Sequence, residues 1–194
     1  LPYFILAGIL APGFSAVLNF ESLKRAGVSI TSSLLATSPF FSTLFAIIFL
    51  KEKINLLVGL GTLSIILGVI LLSWFRPKKH VKFADLLLPL AAALLIGIGA
   101  VTSKHGLNIS NTPLGAIAVA VTAGVIMQLI FISAFGKWHT ISKSFHDLKY
   151  FVIAGIFVGI ALIALFLALS AADVVVIFPL SNTQTLFAIF FSWL

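Results

Sequence analysis

The segment Thr43-Leu-Phe-Ala-Ile47 recurs later in the chain as Thr185-Leu-Phe-Ala-Ile189. Upstream of the two copies, Leu23-Lys-Arg-Ala-Gly-Val28 resembles Leu169-Ser-Ala-Ala-Asp-Val174. The two matches differ in offset by four residues, about one helical turn, so no ungapped alignment holds both. Each match nevertheless covers the end of one apolar segment, a short loop and a following apolar segment that contains a proline. This shared order indicates an internal repeat.

The composition decides what kind of protein carries this repeat. Of the 194 residues, 61% are hydrophobic and only 9% are Asp, Glu, Lys or Arg, whereas a soluble domain carries about 25% charged residues. A soluble globule of this length could not cover its surface with so few polar groups. The chain also has no cysteine, which excludes a disulfide framework and a thiolate metal site. We therefore expect a polytopic membrane protein.

Seven stretches have the roughly 20 apolar residues that a transmembrane helix needs. They are Tyr3–Phe20, Ala26–Leu50, Ile54–Phe75, Leu86–Ser103, Pro113–Phe135, Phe151–Ser170 and residues 174–194. The predicted fold is an all-α, polytopic transmembrane helix bundle.

The second copy of the repeat follows the first by five spans, and an odd spacing turns it upside down in the membrane. Inverted-topology repeats are typical of secondary transporters. Because the sequence starts at Leu1 and stops inside an apolar run, we expect a fragment that lacks both ends.

The net charge of +7 lies in the loops between these spans, where lysine and arginine fix orientation. This placement predicts no nucleic-acid partner. Three basic residues fall on one side of the membrane, and they are Lys51, Lys53 and Lys104. Nine fall on the other, predicted cytoplasmic side, and they are Lys24, Arg25, Arg76, Lys78, Lys79, Lys82, Lys137, Lys143 and Lys149.

Four segments resemble the EamA domain, the core of the drug/metabolite transporter (DMT) superfamily. They are Leu23-Lys-Arg-Ala-Gly-Val28, Ser38-Pro-Phe-Phe41, Phe49-Leu-Lys-Glu-Lys53 and the glycine-spaced run of residues 59–69. The resemblance is strong over Leu18–Leu72 and moderate over Leu165–Leu194. There Pro179-Leu-Ser181 fits the pattern, but Gln184-Thr185 replaces Ser-Pro.

The resemblance implies ten helices in two inverted five-helix repeats, of which this fragment would hold the third to the ninth. Residues 1–75 would then be the last three helices of the first repeat, 76–85 a basic linker, and 86–194 the first four helices of the second repeat. Family members commonly have both termini in the cytoplasm, which would put the linker outside. The charge count puts it inside, so the orientation stays open.

Ionisable side chains are absent from the middle of every predicted span, and those groups usually mark proton or ion pathways. This argues against a carboxylate-centred proton antiporter and against an intramembrane enzyme. The four histidines are in or near loops and lack ligand spacing. We therefore predict no catalytic residue, no metal site, no cofactor and no enzymatic activity. Lys51-Glu52-Lys53 is interpreted as a solvated turn whose charge caps a helix.

The spans instead carry neutral polar groups and prolines. We predict that Pro39 and Pro179 are hinges, because each proline removes a backbone donor. The candidate substrate-binding residues are Asn19, Ser33, Thr37, Ser38, Gln128, Ser181, Asn182 and Gln184. The alternative is that these groups only join neighbouring helices, since buried amides need partners.

The predicted function is secondary transport, by efflux or exchange, of small organic metabolites or drugs through a polar pocket near the bilayer centre. The alternative is a non-transporting structural or regulatory membrane protein. The expected partners are a small-molecule solute and membrane lipid, and a homodimer stays open. The expected location is the plasma or inner membrane, as a multi-pass integral protein.

Overall fold

The computed structural model describes residues 1–53, 56, 59–64, 67, 71, 82–135 and 148–183, and all regular secondary structure in these ranges is helical. In chain order the helices are α1 (Pro2–Arg25), α2 (Val28–Leu35 and, after a turn, Ser38–Phe45 continued by Ala46–Leu50), α3 (described at residues 59–64), α4 (Phe83–Ser110), α5 (Pro113–Ala134), α6 (Leu148–Ala171) and α7 (Val174–Ser181).

Five of the described helices, α1, α2, α4, α5 and α6, are long and apolar enough to cross a membrane. They correspond to five of the seven predicted spans and confirm the all-α class. The predicted third and seventh spans fall largely outside the described residues, as does Gln184. Seven spans and two five-helix repeats therefore stay predictions.

The fourth span is longer than the sequence indicated. Lys104 and His105 were expected to end it, but α4 runs on to Ser110 and buries Lys104, whose side chain finds partners inside the protein. The actual stop is Asn111, which takes the left-handed conformation at φ 39°. A C-terminal residue of this kind followed closely by a proline, here Pro113, is a regular helix ending.

α1 departs from α-helical geometry in its middle. Residues Ile9–Ser15 form a π-helical stretch around Pro12, because proline has no N–H to donate and its ring crowds the preceding turn. The Pro12 carbonyl accepts a hydrogen bond of 2.6 Å from the Gln128 side-chain amide on α5. The irregular turn is thus satisfied by a neighbouring helix, as it must be inside a membrane.

α4 is the central helix of the described bundle and packs against α1, α2, α6 and α7, while α5 covers the other side of α1. The end of α2 and the start of α7 meet at one end of the bundle, where Leu50 and Asp173 border the same small pocket. Because α2 ends and α7 begins at this end, the two helices run in opposite directions. The start of α1 lies at this end too, since the Tyr3 and His105 rings are 4.8 Å apart.

Small residues set the close approach of α1 and α5. Ala116 and Ala120 are buried, and a Cβ placed on Gly124 would lie 2.7 Å from the Pro12 ring. A Cβ placed on Gly8 would overlap the backbone carbonyl of Ala120. Such contacts let two backbones approach where lipid supplies no hydrophobic drive between helices.

We predict that Gly8→Ala lowers the free energy of unfolding by roughly 1–3 kcal/mol, because the added methyl group forces α1 and α5 apart. Gly155→Ala on α6 is the matched control, because a Cβ there has nothing within 4 Å among the described residues. Denaturant titration of the purified full-length protein in detergent measures both. Equal stabilities of the two variants would contradict this packing.

Candidate functional site

A cavity of about 910 Å³ lies between α1, α2, α4, α5, α6 and α7. Most of its wall consists of small and aliphatic side chains, and none of the described lining residues carries a charge. Its polar lining consists of five hydroxyl groups and one amide, from Ser15, Ser32, Ser38, Ser103, Ser181 and Asn182. Small-molecule sites typically have volumes of roughly 300–1,000 Å³ and mostly apolar walls with a few polar groups. The cavity therefore suits an uncharged organic molecule.

Two helix-terminating turns border this cavity and share one backbone pattern. The first part of α2 is eight residues long and is followed by the turn Ala36-Thr37, after which the helix resumes at Ser38. The described part of α7 is also eight residues long and is followed by the turn residues Asn182 and Thr183, where the described range ends. We call these two turns the α2 break and the α7 break. In α2 the Thr37 hydroxyl donates to the Leu34 carbonyl at 2.6 Å, and in α7 the Thr183 hydroxyl donates to the Leu180 carbonyl at 2.7 Å. The backbone N–H groups of these two threonines bond the same two carbonyls. The two breaks are therefore structurally equivalent.

The α7 break carries more polar groups than the α2 break. The Ser181 hydroxyl and the Asn182 side-chain amide both donate to the Phe178 carbonyl, at 2.9 and 3.0 Å. Phe178 lies in the last turn of the described part of α7, where carbonyls lack the usual helical partners, so this helix end is satisfied by its own side chains. The amide nitrogen of Asn182 is thereby fixed, and the side-chain oxygen of this cavity-lining residue has no hydrogen-bond partner among the described residues.

Of the candidate residues, Ser38, Ser181 and Asn182 line the cavity. Pro39 is buried at the start of the second part of α2, and Pro179 is buried inside α7. Each proline thus lies within three residues of a break. The structure brings these five residues to the same region from two helices that run in opposite directions.

The remaining described candidates lie apart from this lining. Ser33 and Thr37 are half-buried on α2, and Gln128 is bonded to Pro12 as described above. The side-chain oxygen of Asn19 on α1 is buried without a hydrogen-bond partner among the described residues. Gln128 therefore joins two helices, and Asn19 keeps an unused acceptor.

Ser15, Ser32 and Ser103 line the cavity although the sequence did not single them out. Ser15 donates to the Ala11 carbonyl one turn earlier, and Ser32 donates to the Val28 carbonyl at 2.8 Å. Serines of this kind also occur on lipid-facing surfaces, so type and spacing alone could not select them. Only the packing of α4 and α6 against the other helices distinguishes these serines from serines that face lipid.

Beyond one end of the cavity, Lys104 is buried against the last turn of α6. Lys104 is only 6% exposed, and its Nζ donates hydrogen bonds to the carbonyls of Leu169 and Ala172, both at 2.8 Å. Leu169 is in the last turn of α6 and Ala172 directly follows the helix; carbonyls at a helix C-terminus have no partner within the helix, because the last four are left over. A cation at this point also complements the helix dipole.

Glu52 makes the complementary contact with the first turn of α7. Its two carboxylate oxygens accept the N–H groups of Val174 and Val175 at 3.1 and 3.0 Å. Glu52 thus caps a helix, as the sequence indicated for this turn, but the capped helix is α7. The contacting residues are more than 120 positions apart in the chain, so no local pattern predicts the pairing.

Metal ligands do not cluster in the described part of the chain, where no group of three His, Cys, Asp or Glu side chains converges. The described lining of the cavity offers hydrogen bonding by neutral groups and contact with apolar walls. This arrangement can bind a molecule.

Comparison with known proteins assigns the first part of the chain. Residues 1–74 match the EamA-like transporter family. This confirms the EamA resemblance in the region where the sequence carried it most strongly. Together with the five apolar helices, it identifies an integral, multi-pass membrane protein.

The chain is also similar to an uncharacterized transporter of Methanothermobacter thermautotrophicus, with 28% identity over 74 residues. The aligned region is 38% of this chain and 22% of that relative, so the match spans about a fifth of the relative's length. No solved structure matches the chain.

We predict that Lys104→Met lowers the free energy of unfolding by roughly 1.5–3 kcal/mol, because two buried carbonyls lose a charged donor. Lys53→Met removes an exposed lysine from the same end of the bundle and should change stability by less than about 0.5 kcal/mol. Thermal unfolding followed by circular dichroism compares the two. A Lys104→Met protein as stable as the control would show that the ammonium group does not stabilise the connection between α6 and α7.

Proposed function

We propose that the chain is part of a secondary transporter that carries small organic metabolites or drugs, by efflux or exchange, through the cavity between the two helix breaks. The cavity is the observation that carries this proposal, because it joins a suitable volume to neutral hydrogen-bonding groups within a membrane-spanning bundle. The EamA match over residues 1–74 supports the same class. The solute is expected to be uncharged, since the described lining offers no counter-ion.

The equivalence of the two helix pairs supports an inverted repeat. The first part of α2 and the described part of α7 are both eight residues long, each follows a two-residue connection from the preceding helix, and each ends in the same pattern of backbone and threonine bonds. The two pairs run in opposite directions across the bundle. Inverted units around a central site are the usual basis of alternating access, in which one unit rocks against the other. Pro39 and Pro179 lie where such a motion would bend α2 and α7.

Asn182 determines which kind of hydrogen-bonding group the solute would present to this part of the cavity. Because the side-chain nitrogen is held by Phe178, the side-chain oxygen can accept a hydrogen bond from a hydroxyl or N–H group of the solute. Nucleosides, sugars and amino-acid amides carry such donors. Ser38 and Ser181 add hydroxyl groups that can donate or accept.

The alternative is a structural or regulatory membrane protein that transports nothing. The Gln128–Pro12 contact favours it, because this amide joins two helices and does not reach the cavity.

The plasma or inner membrane is the expected location, and lipid is the surrounding partner in either case. A homodimer is compatible with the exposed apolar face of α6, which includes Phe157 and Ile160.

We predict that Asn182→Ala lowers solute flux by about tenfold, the equivalent of about one good hydrogen bond, and leaves the folded yield unchanged. Flux is measured in proteoliposomes of the full-length protein with a radiolabelled panel of nucleosides and sugars. Thr122→Ala is the control, because this hydroxyl is exposed on α5 and bonds its own helix.

If the folded yield falls in parallel with the flux, Asn182 holds the helices together and the structural alternative is correct. A flux that persists unchanged in Asn182→Ala would remove this residue from the binding site.

A further inference from the structure

The α6–α7 corner is held on both sides by charged side chains from elsewhere in the chain. Lys104 of α4 binds the last carbonyls of α6, and Glu52, from the turn after α2, binds the first N–H groups of α7. We call Glu52 and Lys104 the corner clamp. Each charge has the sign that its helix end prefers, cation at the C-terminus and anion at the N-terminus. The corner clamp therefore acts on polar groups that the two helices cannot satisfy themselves.

The local conformation of the α2 terminus places Glu52. The π-helical stretch Ala46–Leu50 ends at Lys51, which is in the left-handed region at φ 57°. The Glu52 N–H then bonds back to the Ala46 carbonyl at 3.3 Å. This turn ends α2 and places the carboxylate against the first turn of α7. It also links the EamA-matching part of the chain to a helix outside that match.

The corner clamp lies directly beyond one end of the cavity. Leu169 lines the cavity, and its carbonyl is bound by Lys104, while Ser103 lines the cavity one residue before Lys104. Both lining residues are buried, at 1% and 5% exposed. Farther from the corner clamp the lining is mixed, since Ser32 and Val158 are exposed whereas Ser15 and Ala36 are buried. The lining beside the corner clamp is thus closed, and exposed lining residues occur away from it.

We propose that the corner clamp is the gate at this end of the cavity, and that Glu52 and Lys104 must release the α6–α7 corner before a solute can pass that way. This inference rests on the proposed transport function. Loss of either charge frees the corner, because the remaining partner holds only one of its two helix ends. Glu52 and Lys104 are positioning residues in this role, since the lining of the cavity includes neither of them.

The absence of cysteine from the sequence allows a direct test. A single cysteine at Ser103, Ser103→Cys, reports on the closed end, and Ser32→Cys reports on the exposed part of the same cavity. Each is placed in the full-length protein in sealed vesicles of both orientations. A membrane-impermeant methanethiosulfonate reagent is then added, and the rate of modification is measured from each side.

We expect Glu52→Gln to raise the rate at Ser103→Cys by about tenfold for reagent added on the side of Lys51 and Lys53. That factor corresponds to the loss of one charge-assisted hydrogen-bond pair. Glu21→Gln is the matched control, because it neutralises a carboxylate at the opposite end of α1 and should leave the rate unchanged. Lys104→Arg keeps the cation and should keep the protection, whereas Lys104→Gln should remove it. Lys104→Gln also serves as the test if Glu52→Gln does not fold.

The outcomes separate the gate from the transport proposal. If Ser32→Cys reacts but the rate at Ser103→Cys is the same in all clamp variants, the gate is wrong and the cavity stands. If neither cysteine reacts from either side in any folded variant, the cavity is closed to water, and the transport proposal fails together with the gate.

Discussion

A helix inside a bilayer has to satisfy every backbone N–H and C=O group within the protein, because hydrocarbon offers no partner. The main features of this bundle follow from that constraint. The break in α2 is satisfied by Thr37 and the break in α7 by Thr183, Ser181 and Asn182. Such breaks persist only beside other polar groups or a wet space, and here they border the cavity.

The same constraint explains the two ends of the α6–α7 corner. A short connection between two antiparallel helices leaves carbonyls at one helix end and N–H groups at the other. Lys104 and Glu52 supply charges to both sets from distant parts of the chain. The corner is consequently tied to α4 and to the residue that follows α2.

Hydropathy predicted the helical class and the five long helices, because length and apolar composition decide whether a segment spans a membrane. Proline chemistry drew attention to Pro39 and Pro179, each within three residues of a break, because proline acts on its own helix; their role as hinges stays a prediction. Hydropathy failed at Lys104, which was taken to end a span although α4 continues to Ser110. A charged residue in an apolar segment is predicted to end the span unless its partner inside the protein is known. The partners of Lys104 are carbonyls at the end of α6, far away in the sequence.

The cavity lining shows the same limit. Ser38, Ser181 and Asn182 were predicted because they flank prolines, while Ser15 and Ser103 were missed because serine is common on every face of an apolar helix. Gln128 was a candidate for the cavity, and the structure gives it the Pro12 carbonyl instead. Local chemistry therefore selected three residues that line the cavity, and their part in binding stays a prediction. The choice among the other residues depends on how the helices pack.

The most direct test of the account is the environment of the two breaks in a bilayer. Nitroxide labels at Ser38 and Ser181 of the reconstituted full-length protein can be compared with a label at Leu129, an exposed residue of α5, by their collision rates with a water-soluble nickel chelate and with oxygen. A chamber between the breaks predicts frequent collisions with nickel at Ser38 and Ser181 and with oxygen at Leu129. Collisions with oxygen alone at all three positions would contradict a polar chamber between α2 and α7.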